Sequence, residues 1–301
     1  MLISMAIACD RCNKEAIIFQ PYSGRHLCRQ HFVLDFERRA KHEIRMHRWI
    51  VSGDTIAIAM SGGKDSSALA FFLKKAFGMR KDIGLFAVSV DEGITGYREM
   101  EKIRRIADGI GIDWHSTSFR EVYGCTLDEV VKRKGESRSC TYCGVLRRGA
   151  LNRRAKELSA TRLAMGFNLD DEAQSVLMNV LRGDAGRLTR VRVPKEGFIE
   201  RIKPFRTIPE REVALYAMLH LEGFEPKRCP YAKNALRGEV RAMLNEYSYR
   251  HPATKFALIR LGDALPLMTE RESIGSATCP SCGEPGSGEC SACRILHELE
   301  G

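Results

Sequence analysis

The chain has 301 residues, 44% of them hydrophobic, with a formal net charge of +10 and a pI near 9.1. That length suits one large domain with small attachments. No apolar run approaches the roughly 18 residues of a membrane helix, and apolar residues 1–8 carry no basic leader, so neither a span nor a signal peptide is expected. The excess of cations favours a polyanionic partner, with nucleic acid modestly ahead of a merely soluble basic surface.

Three blocks follow one another: residues 1–48, 49–268 and 269–301. The first opens with Cys9-x2-Cys12 and Cys28-x2-His31, three thiols and an imidazole at the spacing of a closed tetrahedral zinc site. A charged stretch over residues 35–47 predicts a helix. Of the eleven cysteines, Cys125 and Cys229 alone stand outside CxxC or CxxH pairs. Without a secretion signal, such pairs point to metal rather than disulfides and to a reducing, cytoplasmic setting.

The second block alternates short apolar runs with amphipathic ones. Residues 55–60 (TIAIAM), 84–90 (GLFAVSV) and 162–166 predict buried strands. Residues 64–78, 98–110 and 170–181 predict helices, with Leu69, Phe72, Leu73 and Ala76, then Ile103, Ile106 and Ile110, then Ala173, Val176, Leu177 and Val180 turned inward. Such alternation predicts an α/β fold with a doubly wound parallel sheet, ligands lying at the carboxyl ends of its strands.

Ser61-Gly-Gly-Lys-Asp-Ser66 joins the first strand to the first helix. Gly62 and Gly63 let amide groups converge on an anion, the helix N-terminus adds positive potential, Lys64 supplies a cation, and Ser61 and Ser66 supply hydroxyls. It is not a Walker A loop, because Asp65 rather than Ser or Thr follows the lysine and Ile58 stands where the first glycine belongs. A bare glycine turn is the plainer reading; the whole motif in strand–loop–helix context favours nucleotide. Asp91 is placed to coordinate magnesium or simply to cap a loop. Cys140-Thr-Tyr-Cys143 precedes a basic helix predicted over residues 144–158, and a third thiol, Cys229, lies in Lys227-Arg-Cys-Pro-Tyr231. These thiols fit a zinc half-site, a redox dithiol, a persulfide pair or an iron–sulfur cluster with one iron free of protein ligand. Gly166-Phe-Asn-Leu-Asp-Asp171 leads into the third helix, where Asp170 and Asp171 suit a helix start. Arg147, Arg148, Arg153 and Arg154 form a solvated face or a phosphate-contact surface, and Arg182 and Arg187 are further candidates for RNA. In the third block Cys279-x2-Cys282 and Cys290-x2-Cys293 supply four thiolates, a second closed zinc set read as folding support, with residues 284–289 as a flexible knuckle.

The SGGKDS loop resembles that of the PP-loop, or N-type, ATP pyrophosphatases, which cleave ATP between the α and β phosphates and adenylate a substrate oxygen. The resemblance implies that Ser61, Gly62, Gly63, Lys64, Asp65 and Ser66 hold the β and γ phosphates with magnesium, and that Gly166 belongs to a second nucleotide-contact segment. The family often has His where this chain has Phe167. Over nearly the whole chain, the order of metal module, SGGKDS, CxxC, GxNxDD, CPY and terminal ribbon resembles the cluster-dependent tRNA 2-thiolation group. That likeness implies that Cys140, Cys143 and Cys229 hold a four-iron–four-sulfur cluster whose open iron can carry sulfide. It also implies that Asp171 acts as acid/base or substrate-positioning residue, that Arg147 belongs with the nucleotide-binding set, and that Cys125 is a spare thiol. Cys143-Gly-Val-Leu-Arg-Arg148 and Leu181-Arg-Gly-Asp-Ala-Gly-Arg-Leu188 resemble the subgroup acting on the wobble uridine; enzymes of the T-loop subgroup typically have Lys at the position of Arg147. The expected cofactors are ATP, Mg2+, the cluster and two Zn2+. The expected partners are tRNA, a sulfur donor (a ubiquitin-like carrier protein or free sulfide) and a second copy of the chain. A cluster-free persulfide thiolase, with Cys140 or Cys143 as carrier, and a zinc-ribbon RNA-binding protein with a vestigial nucleotide site are the rival readings.

Overall fold

A computed structural model describes residues 7–189, 197–224, 229–231, 236–267, 278–284 and 288–300. Residues 1–6, Lys227 and Arg228 of the CPY segment, residues 285–287 of the knuckle and the 268/269 boundary lie outside the described residues.

A hairpin of β1 (Ile18–Gln20) and β2 (Arg25–Leu27) runs into α1 (Arg29–Met46). The helix starts six residues earlier than the predicted 35–47, so Cys28 is its N-cap and His31 sits in its first turn. Phe32, Phe36, Ala40 and Ile44, each four residues apart, form its buried stripe.

The central sheet is parallel, in the order β5 (Asp113–Ser118), β4 (Gly84–Asp91), β3 (Thr55–Ala59), β6 (Arg162–Ala164), β7 (Glu200–Ile202). Along β3 the side chains alternate between two cores. Ile56 and Ile58 face one built with α1, α2 (Lys64–Phe77), α3 (Met100–Ile110) and α9 (Glu210–His220), whereas Ala57 faces the other, built with α5 (Leu127–Lys134) and α6 (Ser139–Glu157). Helices on both faces make the sheet doubly wound, as expected. The chain fills β4 and β5 on one side of β3, then crosses to β6 and β7 on the other. Strand order therefore reverses between β3 and β6, where ligands of such sheets bind. SGGKDS follows β3 and GFNLDD follows β6.

Several predicted bounds shift. The helix predicted from residue 98 begins at Met100, because Arg98 is turned into a buried ion pair. The third strand stops at Ala164, and the helix predicted over 170–181 begins at Leu169, as α7 (Leu169–Leu181). Val180, expected inward, is 44% exposed. β5 (DWHSTS) was not predicted: it lies at the sheet edge, and its polar sequence carries no apolar run. The carboxyl part of the chain adds α10 (Leu236–Arg250) and α11 (Thr254–Ala264), which pack Leu244 and Ile259 against Leu169 and Ala173 of α7. Short α4 (Phe119–Tyr123) and α8 (Ala185–Leu188) lie in the second block, and α12 (Ser291–Glu300) in the third.

Candidate active site and metal centres

Gly62 has φ +77, and a Cβ there would lie 2.8 Å from Ile103 Cγ1, so both backbone and space require glycine. Gly63 caps α2 without a side-chain hydrogen bond, which leaves the first amides of the helix for an anion. Ser66 Oγ ties the loop, accepting from Ser61 N at 3.1 Å and donating to Gly63 O at 3.1 Å, with Ser61 Oγ 3.0 Å away. Lys64 Nζ donates to Asp65 Oδ2 and to Glu210 Oε1, each at 2.8 Å. Burial works against that charge, but the two carboxylates outweigh it and hold the Lys64 pKa above its usual value. Gly166 meets the loop from the far side: a Cβ would stand 3.1 Å from the Asp65 carbonyl and from Ser66 N. The structure thus brings Ser61, Gly62, Gly63, Lys64, Asp65, Ser66 and Gly166 together.

Asn168, not Asp170 or Asp171, caps α7. Its Oδ1 accepts from Asp170 N at 3.0 Å and Asp171 N at 3.2 Å, and its Nδ2 donates to Asp65 Oδ1 at 3.2 Å. Asp171 closes the capping box by accepting from Asn168 N. Buried Asp170 accepts from Glu210 N at 2.8 Å and pairs with Lys255. Burial pushes the Asp171 pKa up to about 6 against the opposing pull of Asn168 N and Arg237, whose Nη1 is 3.6 Å away. Phe167 lies beneath Lys203, with Nζ 5.2 Å from the ring centroid.

The inner cysteine pair does not precede its helix but opens it. With α6 starting at Ser139, Cys140 and Cys143 stand three residues apart in its first turns, hence on one side. Cys140 is exposed, with Sγ 3.7 Å from Tyr231 O; Cys143 is buried. Cys229 packs against the same core as Cys143, and Tyr231 anchors its segment by donating to Asp128 Oδ1 at 2.7 Å. Burial raises the pKa of Cys143 and of Cys229; Arg147 opposes the shift in both cases. Arg147, expected among the nucleotide residues, donates from Nη2 to Cys143 Sγ at 2.9 Å, and its Nε lies 2.7 Å from Glu92 Oε1. Among the described residues it reaches the phosphate loop through Glu92 and Arg98. Asp91 caps its own turn, accepting from Gly93 N at 2.8 Å. Cys125 is half-buried against the second core.

Among the described residues, two sets bring four ligand atoms within 4.8 Å of one another: Cys9, Cys12, Cys28 and His31, and Cys279, Cys282, Cys290 and Cys293. The Cys12–Cys28 and Cys282–Cys290 sulfurs are 3.7 and 3.6 Å apart. A tetrahedral ion with bonds of about 2.3 Å needs sulfurs about 3.8 Å apart, so both sets fit zinc. The Cys290 amide, 3.2 Å from Cys279 Sγ, leads the hydrogen bonds that hold the Cys279 thiol pKa down to about 6. The three inner thiols do not close to that spacing. Cys140 nonetheless meets the Cys229–Tyr231 segment, and Cys143 and Cys229 share one core, so the three thiols come from one region and match the soft donors of an iron–sulfur group.

The basic residues separate. Arg154 pairs with Glu157 at 3.0 Å, Arg153 donates to Val122 O, Arg187 pairs with Asp184 at 3.1 Å, and Arg182 ends α7. Arg148 is different: burial of its guanidinium, then repulsion from Arg147 and Arg187, lowers its pKa. Arg201 of β7 is lowered by burial and by Arg148. Sequence reasoning missed Glu92, Arg98, Arg201 and Glu210, and it placed Asn168 in a motif without its capping role. Glu92 lies just beyond the carboxyl end of β4, a position that could have pointed to it.

The profile described as the N-terminal LIM domain of 2-thiouridine synthetase TtuA matches residues 9–33, and that of the PP-loop domain matches residues 34–245. The tRNA 2-thiolation protein NcsA of Haloferax volcanii is 35% identical over 317 residues, covering 97% of this chain and 99% of that protein. Cytoplasmic tRNA 2-thiolation protein 1 of Arabidopsis thaliana is 36% identical over 300 residues, covering 97% of this chain and 84% of that one. The solved U34-tRNA thiolase NcsA from Methanococcus maripaludis, with its 4Fe-4S cluster, superposes with a TM-score of 0.87 at 31% identity, covering 98% of this chain and 97% of that chain. Identity above 30% along nearly the full length of both partners, over a PP-loop that retains its geometry, establishes that this chain belongs to the PP-loop tRNA 2-thiolation family.

Proposed function

We propose that this chain is an ATP-dependent tRNA-uridine 2-thiolase acting at the wobble position. The observation that carries this reading is that the phosphate loop and the inner cysteines belong to one connected site, joined through Arg98, Glu92 and Arg147. The uracil 2-oxygen attacks the α-phosphorus of ATP and pyrophosphate leaves; sulfur then replaces the adenylated oxygen and AMP departs. Amides of Gly62, Gly63 and the start of α2 receive the phosphates, and Lys64 exchanges its carboxylate partners for phosphate oxygens. Asp65 and Glu210, both against Lys64, offer oxygens for magnesium. Asp171, with a pKa of about 6, holds or releases a proton near neutral pH. Cys140, Cys143 and Cys229 would hold a four-iron–four-sulfur cluster, which when bound supplies an iron without a protein ligand for sulfide. The two terminal sets would each hold one zinc as folding support. Blocks 1–48, 49–268 and 269–301 act as metal module, catalytic domain and ribbon, the sulfur comes from free sulfide or a carrier protein, and the chain works as a homodimer in the cytoplasm. The U34 assignment of the methanococcal relative supports the wobble position.

Anaerobically purified protein, given ATP, sulfide and unmodified tRNA, should release AMP and form 2-thiouridine, located by nuclease mapping and mass spectrometry. No AMP would leave the RNA-binding rival; sulfur confined to the T-loop would move the target. Full-rate thiolation by iron-free protein would replace the cluster with a persulfide.

A further inference from the structure

Glu92 follows directly on β4 at the carboxyl end of the sheet and is 1% exposed. A carboxylate so deeply buried keeps its charge only when it is paired. Arg98 grips it with two contacts, Nε to Oε2 at 2.8 Å and Nη2 to Oε1 at 2.9 Å, the planar fork geometry that arginine alone supplies. Arg147 Nε adds a third at 2.7 Å from Oε1. One carboxylate thus holds side by side two guanidinium groups that would otherwise repel.

Each guanidinium has a second task. Arg98 Nη1 donates to Ser61 O at 3.1 Å, fixing the first residue of the phosphate loop. Arg147 Nη2 donates to Cys143 Sγ at 2.9 Å. The resulting path runs from the Ser61 carbonyl through Arg98, Glu92 and Arg147 to Cys143, with hydrogen bonds at its two ends and an ion pair, not an aligned hydrogen bond, between Glu92 and Arg147 Nε. Its ends lie on separate elements, the β3–α2 loop and α6, which approach the same end of the sheet from different parts of the sequence. Two cations thus face one buried anion, and the second of them reaches on to Cys143.

We infer that Glu92 is a positioning residue for the proposed thiolation, setting the phosphate loop and Cys143 against each other through Arg98 and Arg147. The inference rests on reading the chain as an ATP-using thiolase. Glu92 acts through the two arginines, so it shifts no proton and donates no bond to substrate. A nucleotide that draws on the loop at Ser61 shifts Arg98, and the shared carboxylate passes the change to Arg147 and Cys143.

The test uses full-length, cluster-free protein without tRNA, and reads alkylation of Cys143 by iodoacetamide with peptide mass spectrometry. The probe is α,β-methylene-ATP with magnesium, its binding measured separately by calorimetry; Cys125 is the internal control. In the wild type, the nucleotide should change the Cys143 rate at least about fivefold, the lower end of ordinary site-to-site coupling, and leave Cys125 unchanged. Glu92→Gln preserves shape but removes the charge holding the arginines, so binding should persist while the Cys143 response disappears. Arg98→Lys keeps the charge without the fork and should lose the response too, which decides the matter if Glu92→Gln fails to fold. Binding without any Cys143 response in the wild type, or a response retained in the folded variants, overturns the inference alone. Absence of nucleotide binding in the wild type would overturn the functional reading and this inference with it.

Discussion

Asp171 occupies the first turn of α7, where helix amides and dipole favour a carboxylate, yet its pKa is pushed up to about 6 because burial outweighs them. The fold therefore favours the protonated acid. Its contribution to stability is complete below the ordinary value of 3.8 and is lost as pH rises through about 6. Asp171→Asn removes that cost, so the variant should exceed the wild type at pH 8 by about 1–3 kcal/mol, the gap closing below about pH 4. Urea unfolding across that range checks the sign; a gap that widens in acid would mean that the carboxylate is stabilised. The same variant should bind ATP but lose the limb near pH 6 in single-turnover thiolation. The residues that sequence made legible are those joined by short spacing: SGGKDS, GFNLDD and the cysteine pairs. Glu92 and Glu210 were not: Glu92 meets Arg98 six positions on, in a loop contact that follows no helix or strand repeat, and Arg147 on α6, while Lys64 meets Glu210 across 146 positions.

Helix bounds show the same limit. The glycine at 144 and the CxxC before it suggested a helix beginning after the cysteines, whereas α6 begins at Ser139 and carries both of them. Tertiary contact decides the start: Cys143 and Leu146 are buried in the second core, and Tyr123 Oη holds Leu146 O at 2.7 Å. α12 shows what a metal set does for an element. Cys290 is its last preceding residue and Cys293 lies in its first turn, while Arg133 donates to Leu299 O at 3.0 Å and Asn152 to Glu284 Oε2 at 3.3 Å. Among the described residues few apolar side chains, Ala292 and Leu299, pack this module against the second core, so a zinc held by the proposed set would supply most of its folding energy. Cys279→Ser should remove one zinc per chain, measured by elemental analysis, and lower Tm. Cys229→Ser should instead lose iron and thiolation while keeping both zincs. Zinc loss with unchanged Tm would refute the folding role; iron retained in Cys229→Ser would refute the ligand assignment.

Charge and joints belong to the whole molecule. A net charge of +10 says nothing about where RNA lies, but the structure separates arginines already paired with carboxylates from Arg148 and Arg201, which crowd each other. Arg148→Ala should lower tRNA affinity and reduce the slope of log K against log salt by about 1, whereas Arg153→Ala, whose guanidinium is turned to Val122 O, should leave the slope unchanged. Equal slopes for both would remove Arg148 from the interface. The first block, read from its Cys/His module and charged stretch, packs on the sheet: α1 shares its core with β3, α2 and α9, and the junction is ionic as well as apolar. Fully buried Glu212 of α9 accepts from Tyr22 Oη at 2.8 Å and Gln20 Nε2 at 3.2 Å and pairs with Arg39, which also donates from Nε to Asp35 Oδ2 at 2.9 Å. No spacing along the chain foretold it, since the partners lie 173 and 190 positions apart. Removing Glu212 takes the acceptor from Tyr22 Oη and leaves Arg39 and Gln20 with Asp35 as their carboxylate, and breaking a buried pair in this way costs about 3–5 kcal/mol, while replacing a buried pair by apolar groups of similar volume is often neutral. Glu212→Ala should therefore destabilise the protein by that amount in urea. The double variant Arg39→Met, Glu212→Leu should recover much of the loss, though Tyr22 and Gln20 keep it from being complete. A Glu212→Ala variant within about 0.5 kcal/mol of the wild type would place it among ordinary surface changes and deny the network its part in joining the module to the sheet.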